Sequence, residues 1–439
     1  MTAPPETARP SAITRWLERS PAPVLTLYAI LTSFSAYFCM YAFRKPFSAA
    51  TYEGLRFFGT DIDLKTAFVI SQILGYMTSK YLGIKLCSET TRNRRMWMLI
   101  GLIAAAELAL LLFASLPGHA KTAAIFLNGL PLGMVWGLVV LYLEGRRTSE
   151  VLLAGLSCSF ILASGVVKSV GLWLIEAHGV GDFWMPFIAG LIFLPPFVLS
   201  VFLLNQIPAP TRADIDARVE RIPMDGDSRS AFLRRFLPGM IMLLVAYFFL
   251  TAYRDFRDNY MVEIFRELGF GGKPAILTTT ELPVAFGVLA ALGALYLVRD
   301  NRVGLIGAYV IMIAGLILMS GSTLLLDAGK LRGDLWMVCV GLGAYLAYVP
   351  FGSVLFDRLI AVTRVAGTAV FAIYVADAVG YTGSVGVQLY KDLIDTEATR
   401  LDFFRRFTYA MSLLGLVLLI ASCVFFMAKA RRRDPAAAA

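Results

Sequence analysis

The sequence predicts an all-α polytopic membrane protein whose twelve transmembrane helices form two pseudo-symmetric six-helix bundles. Its composition is the first observation behind this prediction, because 58% of the residues are hydrophobic and only 16% are charged. Soluble domains contain about 25% charged residues. A soluble chain of 439 residues could not bury so much apolar surface in one or two cores. The lipid bilayer is therefore its expected solvent.

Twelve apolar runs are the second observation. Each is close to the ~20 residues that a helix needs to cross a hydrocarbon core of about 30 Å. The predicted spans cover residues 24–47, 65–86, 97–116, 122–143, 151–176, 184–205, 237–261, 274–298, 303–325, 334–357, 365–389 and 404–428.

The third observation is a long polar interval that divides six spans from six. It predicts an N-terminal bundle at 1–205, a cytoplasmic linker at 206–235 and a C-terminal bundle at 236–439. Basic clusters follow the second span of each half, T91-R-N-R-R95 and R299-D-N-R302. This arrangement is typical of two related bundles around a central cavity.

The positive charges predict the orientation. With the N-terminus inside, 23 lysines and arginines fall in inner segments and 11 in outer loops. By the positive-inside rule, both termini are expected in the cytoplasm of a bacterium, with the chain in its inner membrane. The net charge of +9 then reflects topology and contact with anionic lipid, so no nucleic-acid partner is expected.

Enzymatic chemistry has no support in the sequence. The five cysteines are scattered without a CxxC pair, and there is no Ser/His/Asp set or phosphate-cradling glycine loop. We therefore expect no catalytic residues, no cofactor and no metal. The expected partners are a small anionic solute and the lipid bilayer, and the expected state is a monomer.

Four cations at span ends, Lys65, Lys85, Arg405 and Arg406, are counted with the adjoining loops, which leaves six inside the predicted spans. Each costs roughly 2.5–3.5 kcal/mol there on insertion scales. They are Arg44, Lys45, Lys80, Lys168, Arg254 and Arg257. Such residues usually face a protein interior or a water-filled pathway. The alternatives stay open: Arg44 could lie at the outer interface, and Lys80 and Lys168 could extend to the headgroups.

Tyrosines accompany the first of these cations. Tyr37, Tyr41 and Arg44 have the spacing of one helical face. Hydroxyls beside a guanidinium would make a cradle for a phosphate or carboxylate, although an interfacial aromatic belt would show the same spacing. Tyr374 and Tyr381 share a predicted face with Asp377 in the eleventh span in the same way.

Span 7 and three acids leave further alternatives. Arg254 and Arg257 are interleaved with Asp255 and Asp258, so the four charges could simply pair with one another. The intramembrane acids are Glu107, Glu281 and Asp377, which are candidates for proton coupling or for counter-ions to the buried cations.

Several motifs resemble the organophosphate:phosphate antiporter family of the major facilitator superfamily. They occur in family order: Y41-A-F-R-K-P-F47, G75-Y-M-T-S-K80 with R92-N-R-R95, G129-L-P-L-G-M-V-W-G137, V365-A-G-T-A369 and G380-Y-T-G-S384. The resemblance implies the major facilitator fold. It also implies that Arg44 contacts substrate phosphate and that Lys80 matches a family lysine.

The chain departs from the family in span 7 and span 5. The family arginine of span 7 would fall near Leu250, whereas this chain has Arg254 one turn later. Lys168 and the stretch E144-G-R-R147 have no family counterpart. These departures predict a divergent branch with a rebuilt site.

The leading functional hypothesis is a secondary transporter of a small anionic metabolite, organophosphate or phosphate-like. Arg44, Lys168 and a span-7 arginine would hold the anion during alternating access. Exchange follows if an empty cavity with unpaired cations is too costly to close. The alternatives are a proton-coupled transporter of another small organic solute and a non-transporting membrane sensor.

Overall fold

Twelve long helices make up most of the computed structural model, which describes residues 11–88, 91–144, 146, 148–211, 214, 226–363 and 369–431. We number them as spans 1 to 12: Ala22–Met40, Leu64–Ser88, Arg92–Ser115, Ala120–Leu143, Ser149–His178, Met185–Asn205, Gly226–Asn259, Ile276–Tyr296, Asn301–Asp327, Gly333–Pro350, Ala369–Leu393 and Arg400–Arg431. The short helices Ala12–Arg19, Met261–Phe265 and Phe356–Thr363 flank them.

Ten of the twelve helices are long and apolar enough to cross a membrane. Spans 2 and 11 are the other two, and each is a 25-residue helix with charged residues. Many large apolar side chains are exposed on the outer surface of the bundle, including Leu31, Leu108, Phe286 and Val310. Apolar residues on that surface are expected where lipid is the solvent. The chain is thus an all-α polytopic membrane protein, as its composition predicts.

The helix packing follows the two halves of the sequence. In the first half, span 2 packs on span 4, span 3 on spans 4 and 6, and span 1 on spans 5 and 6. In the second half, span 7 packs on spans 10, 11 and 12, and span 9 on spans 10 and 12. Between the halves, span 5 meets span 8 and span 2 meets span 11. Residues from these four helices therefore lie at the centre of the molecule.

Small residues permit the closest of these approaches. A Cβ added at Gly129 of span 4 would lie 2.5 Å from the carbonyl oxygen of Gln72 in span 2. One added at Gly75 would lie 2.2 Å from the carbonyl oxygen of Phe126. Small residues at such crossings let helix backbones meet in a membrane. The two glycine motifs of the sequence thus fix where span 2 sits against span 4.

Three boundaries differ from the predictions by seven residues or more: the end of span 1, the start of span 7, and the end of span 10, whose α-helix stops at Pro350 instead of residue 357. Span 1 was expected to continue to residue 47, but the α-helix ends at Met40 and 3₁₀ turns follow over Tyr41–Phe43 and Pro46–Ala49. Span 7 begins at Gly226, inside the predicted linker, and ends at Asn259. The first difference has a physical cause in span 2 and span 4, whose side chains bind the freed carbonyl groups.

Candidate functional site

The end of span 1 is held by amide side chains from its neighbours. The Gln72 Nε2 group donates to the Arg44 carbonyl oxygen at 2.9 Å and to Asn128 Oδ1 at 2.8 Å. Asn128 Nδ2 donates to the carbonyl oxygens of Phe43 and Ala106, both at 3.0 Å. Broken helices persist inside membranes only where the freed backbone groups find such partners. Gln72 and Asn128 therefore fix the position of Arg44.

Arg44 lies beside the middle of span 2. Its guanidinium carbon is 4.1 Å from the centre of the Tyr76 ring, and Tyr76 is the central residue of span 2. The Tyr41 ring centre lies 5.7 Å away on the other side. Tyr37, Tyr41 and Arg44 therefore do not form one face of an α-helix, because the helix ends at Met40. The Arg44 side chain nevertheless reaches the Tyr41 ring. This position beside the middle of span 2 disfavours the outer-interface alternative for Arg44.

No carboxylate of the described residues pairs with Arg44. Its Nε atom is buried and has no hydrogen-bond acceptor, and no acidic group lies within ion-pair distance in the described chain. The cation is met by tyrosine faces, which contribute about 0.5–2 kcal/mol each. Arg44 is thus a partly buried cation without a counter-ion among the described residues.

A chain of aromatic rings and charges extends from Arg44 across both halves. Tyr37 packs edge-on against Tyr41 at 5.7 Å and against Trp136 at 4.9 Å. The rings of Tyr76 and Tyr381, from spans 2 and 11, meet at 5.6 Å. We call this central set the belt, which is not the interfacial aromatic belt considered above. It consists of Tyr37, Tyr41, Arg44, Tyr76, Lys80, Trp136, Tyr247, Arg254, Tyr348, Asp377 and Tyr381.

Lys80 and Asp377 join the two halves within the belt. The Lys80 Nζ atom lies 2.5 Å from Asp377 Oδ2, and the Tyr247 hydroxyl donates to Asp377 Oδ1 at 2.8 Å. The amine also lies 5.6 Å and 5.3 Å from the ring centres of Tyr76 and Tyr381. Lys80 therefore does not extend to the headgroups. Asp377, predicted as a coupling or counter-ion residue, is its counter-ion.

Arg254 closes the other end of the belt. It donates to the neighbouring Asp255 at 3.0 and 2.6 Å and lies 4.2 Å from the ring centre of Tyr348. The Tyr348 hydroxyl lies 2.9 Å from that of Tyr247, which connects Arg254 to Asp377. The local-pairing alternative therefore holds for Arg254.

Arg257 does not pair with its neighbours in span 7. It donates to Glu281 of span 8 at 2.6 Å and to the Met337 carbonyl of span 10 at 3.0 Å, and only 2% of the residue is exposed. A Cβ added at Gly341 would lie 2.4 Å from its Nη2 atom. Arg257 is thus enclosed by three helices, with Glu281 as its counter-ion.

Lys168 also lies outside the belt. Its amine is fully buried and lies 2.7 Å from Asp258 Oδ1, while Lys45 lies 2.5 Å from Oδ2 of the same carboxylate. Lys168 therefore does not reach the headgroups either. We call Lys45, Lys168 and Asp258 the outer cluster, since the charge pattern predicts that this end of the bundle faces outside. It joins spans 5 and 7.

Further polar pairs join the halves near the outer cluster. Lys65 lies 2.5 Å from Glu263, and the Thr66 hydroxyl lies 2.6 Å from that of Tyr260. Arg400 lies 2.7 Å from Asp63 and 2.6 Å from Asp392. Lys65 was assigned to an outer loop, but its side chain is buried in the first turn of span 2. The outer end of the bundle is thus held together by ion pairs.

Two predicted site residues remain. Glu107 of span 3 lies against Gly190 of span 6, away from the belt, and both its carboxyl oxygens are buried without a hydrogen-bond partner. Tyr374 occupies a helical position in span 11, but its side chain and those of 365–369 lie outside the part of the chain that the structure describes.

Sequence reasoning missed four aromatic members of the belt. Tyr76 precedes Lys80 by one turn and Trp136 lies inside a quoted motif, so spacing could have indicated both. Tyr247 and Tyr348 carry no comparable local signal, since they meet only through the fold. The predicted substrate-binding roles stay predictions: the structure brings Arg44, Tyr37, Tyr41, Lys80, Arg254 and Tyr381 together and places Lys168 and Arg257 in separate ion pairs.

Comparison with known proteins shows the fold and a family. The nucleoside transporter NupG is 12% identical over 92% of this chain and 98% of its own, with a TM-score of 0.56. A point mutant of that transporter gives a TM-score of 0.57 over 92% of this chain and 99% of its own. A D-xylose-proton symporter is 14% identical over 92% and 97%, with a TM-score of 0.59. At these identities the likeness shows the fold alone, which is the major facilitator fold.

No curated protein matches the chain. Residues 46–429 match the model of a family of unknown function, DUF5690, and the chain belongs to that family.

Proposed function

We propose that this protein is a secondary transporter that moves a small anionic solute across the membrane by alternating access. The observation that carries the proposal is the state of Arg44. Of the six cations predicted inside the spans, the other five have a carboxylate partner in the described residues, and Arg44 has none. An unpaired guanidinium beside the middle of a span is costly unless a ligand supplies the negative charge.

The charge of the surroundings favours an anion. The belt and Asp255 together contain three cations, Arg44, Lys80 and Arg254, and two carboxylates. The outer cluster holds two lysines on one carboxylate. Both groups therefore carry a positive surplus, and the tyrosine hydroxyls of the belt supply hydrogen bonds to the rest of a small solute.

An organophosphate or a phosphate-like anion is the substrate class that we propose. A guanidinium fork matches two phosphate oxygens, and Arg44 stands where the resembled family has its phosphate-binding arginine. Lys80 lies beside the same Tyr76 ring and becomes a second ligand if the anion replaces Asp377. The structural neighbours are themselves named as a nucleoside transporter and a proton symporter, so they support transport and not this substrate.

Exchange of one anion for another is the proposed mode. The outer ion pairs join the halves in this conformation, so the belt would open first toward the predicted cytoplasmic side. Reorienting an empty carrier would enclose Arg44 without a counter-ion, which costs free energy. A bound anion removes this cost because it pairs with Arg44. A returning anion therefore lowers the barrier to closure.

Proton-coupled transport is the second candidate, and a specific contact favours it. Asp377 lies between Lys80 and Tyr247 inside the belt, where a carboxyl group that gains a proton would release the lysine. The D-xylose-proton symporter among the structural neighbours agrees with this alternative. Among the described residues, no contact favours the membrane sensor. The location in a bacterial inner membrane with both termini cytoplasmic stays a prediction from the charge pattern.

Exchange in proteoliposomes tests the proposal. Vesicles loaded with phosphate are given labelled phosphate outside, with wild-type protein, Arg44→Gln, Arg44→Lys and the surface control Arg94→Gln, whose native side chain is exposed. We expect wild type and the control to exchange, Arg44→Gln to lose exchange and Arg44→Lys to retain a fraction, because lysine keeps the charge without the fork.

The counter-anion requirement separates the two candidates. Uptake that needs phosphate inside the vesicles supports exchange, whereas uptake driven by a proton gradient into phosphate-free vesicles supports coupling. Exchange that survives Arg44→Gln unchanged would overturn the site. Folded wild-type protein that moves neither phosphate nor competing organic phosphates would overturn the substrate class.

A further inference from the structure

A second basic site lies at the opposite end of the first bundle from the outer cluster. It is a cavity of 290 Å³ between the start of span 3, the end of span 4 and the chain that follows span 6. Arg92 and Arg95 line it from span 3, Tyr142 and Glu144 from the end of span 4, and Pro208 from the linker. The belt and this cavity share no residue.

The backbone around the cavity holds both arginines in place. Arg92 donates to the Ile207 carbonyl, and Arg95 Nη1 donates to the Leu141 carbonyl at 2.8 Å. Arg95 also lies over the Tyr142 ring, whose centre is 5.6 Å away, and its Nε atom is buried without an acceptor. Each guanidinium is thus fixed on one side by a neutral carbonyl group, which leaves its charge unbalanced.

Two acidic groups lie near these arginines without forming an ion pair with them: Glu144 lines the cavity, and Glu18 acts on Arg92 from a longer distance. In the described part of the chain, neither Arg92 nor Arg95 has a carboxylate within ion-pair distance, although Glu144 lines the same cavity. The first turn of span 3 contains no acidic residue, and its N-cap residue Thr91 makes no side-chain hydrogen bond to the helix. The positive end of the span 3 helix dipole adds to the attraction for an anion.

The cavity has the depth of lipid headgroups. Trp97, five residues after Arg92, is 67% exposed on the outside of the bundle. Exposed tryptophans are enriched at the membrane–water interface. The charge pattern of the sequence puts this end of the bundle on the cytoplasmic side, where anionic lipids concentrate.

We propose that this cavity binds a phosphate group, carried either by the headgroup of an anionic lipid or by a free phosphate ion. Guanidinium forks suit phosphate oxygens, and the carbonyl contacts preorganise both forks before a ligand arrives. A ligand here contacts span 3, span 4 and the chain after span 6 together. It therefore ties the start of the central linker to the first bundle, whether or not the protein transports an anion.

Lipid retention tests this site. The full-length protein carries Arg44→Gln in every sample, so that phosphate bound at the belt does not contribute. Binding of phosphatidylglycerol, phosphatidylcholine and inorganic phosphate is measured by native mass spectrometry and by thermal unfolding in neutral detergent. Arg95→Gln and Arg92→Gln remove lining residues, and Arg94→Gln removes the same charge from the exposed neighbour.

We expect one phosphatidylglycerol to bind, with affinity reduced about tenfold to a hundredfold by Arg95→Gln and little by Arg94→Gln, the size typical of a lost charged hydrogen bond. Binding of inorganic phosphate alone, with the same dependence on Arg95, would assign the site to the free ion. Equal losses for Arg94→Gln and Arg95→Gln, equal binding of phosphatidylcholine, or no binding by folded protein would overturn the inference. If Arg95→Gln does not fold, Arg92→Gln provides the same comparison.

Discussion

Replacing Asp377 by asparagine changes the charge of the belt without changing its shape. The substitution removes the counter-ion of Lys80, whose amine lies 2.5 Å from the carboxylate. Lys80 then becomes a second unpaired cation near Arg44. If the protein has the proposed function, we expect Asp377→Asn to favour anions of higher charge than the wild type does.

The size of this charge preference can be calculated because Arg44 and Lys80 both lie next to the Tyr76 ring, which limits the distance between them. The Arg44 guanidinium and the Lys80 amine lie 4.1 Å and 5.6 Å from its centre, so they are at most 9.7 Å apart. At an effective dielectric constant of about 20, a unit charge at that distance contributes about 1.7 kcal/mol. Each additional negative charge on the solute should therefore gain roughly tenfold in relative affinity, since 1.4 kcal/mol is a factor of ten.

Competition by sulfate and methyl sulfate measures this preference, because the two anions share a tetrahedral geometry and differ by one charge. The ratio of their inhibition constants against labelled phosphate is compared between wild type and Asp377→Asn. Tyr247→Phe is the matched control, since it removes the 2.8 Å hydrogen bond to Asp377 and no charge. A ratio that is the same in wild type and Asp377→Asn would refute the placement of Lys80 at the substrate site.

Two further predictions concern packing and the outer cluster. Gly341→Ala places a methyl group 2.4 Å from Arg257 Nη2, so we expect a loss of about 1–3 kcal/mol in stability, seen as a lower midpoint of thermal unfolding in detergent. Asp258→Asn leaves Lys45 and Lys168 facing one neutral group. Because an uncompensated buried charge costs about 3–5 kcal/mol, we expect the outer ends of the halves to separate, measured as longer distances between spin labels on spans 1 and 7.

Both predictions have direct controls. Gly321→Ala adds the same methyl group where no atom lies within 4 Å of the new Cβ, so its unfolding midpoint should match that of wild type. Asp334→Asn removes a carboxylate that pairs with the exposed Arg332, and the distances should not change. An unfolding midpoint for Gly341→Ala equal to that of its control, or wild-type distances in Asp258→Asn, would contradict the respective contact.

Several properties could be read from the sequence because they depend on local composition. The length and hydropathy of each run predicted the spans, and the cost of burying a charge identified Arg44, Lys80 and Asp377 as residues that need a partner or a ligand. The close approach of Gly129 and Gly133 in span 4 to span 2, by contrast, was not predicted and is known from the structure. The end of span 1 was misjudged, because the amides that bind its freed carbonyls come from other helices.

The sequence by itself determined that ionisable groups lie within the bilayer, since hydropathy and charge are properties of neighbouring residues. The tertiary structure alone decided which of them neutralise one another. Lys80 and Asp377 are 297 residues apart, and Lys168 and Asp258 are 90 apart. Whether such groups meet depends on how the two bundles pack, because a hydrogen-bonded ion pair forms only at contact distance. Only the fold could therefore show that Arg44, unlike the other five cations, has no carboxylate partner among the described residues.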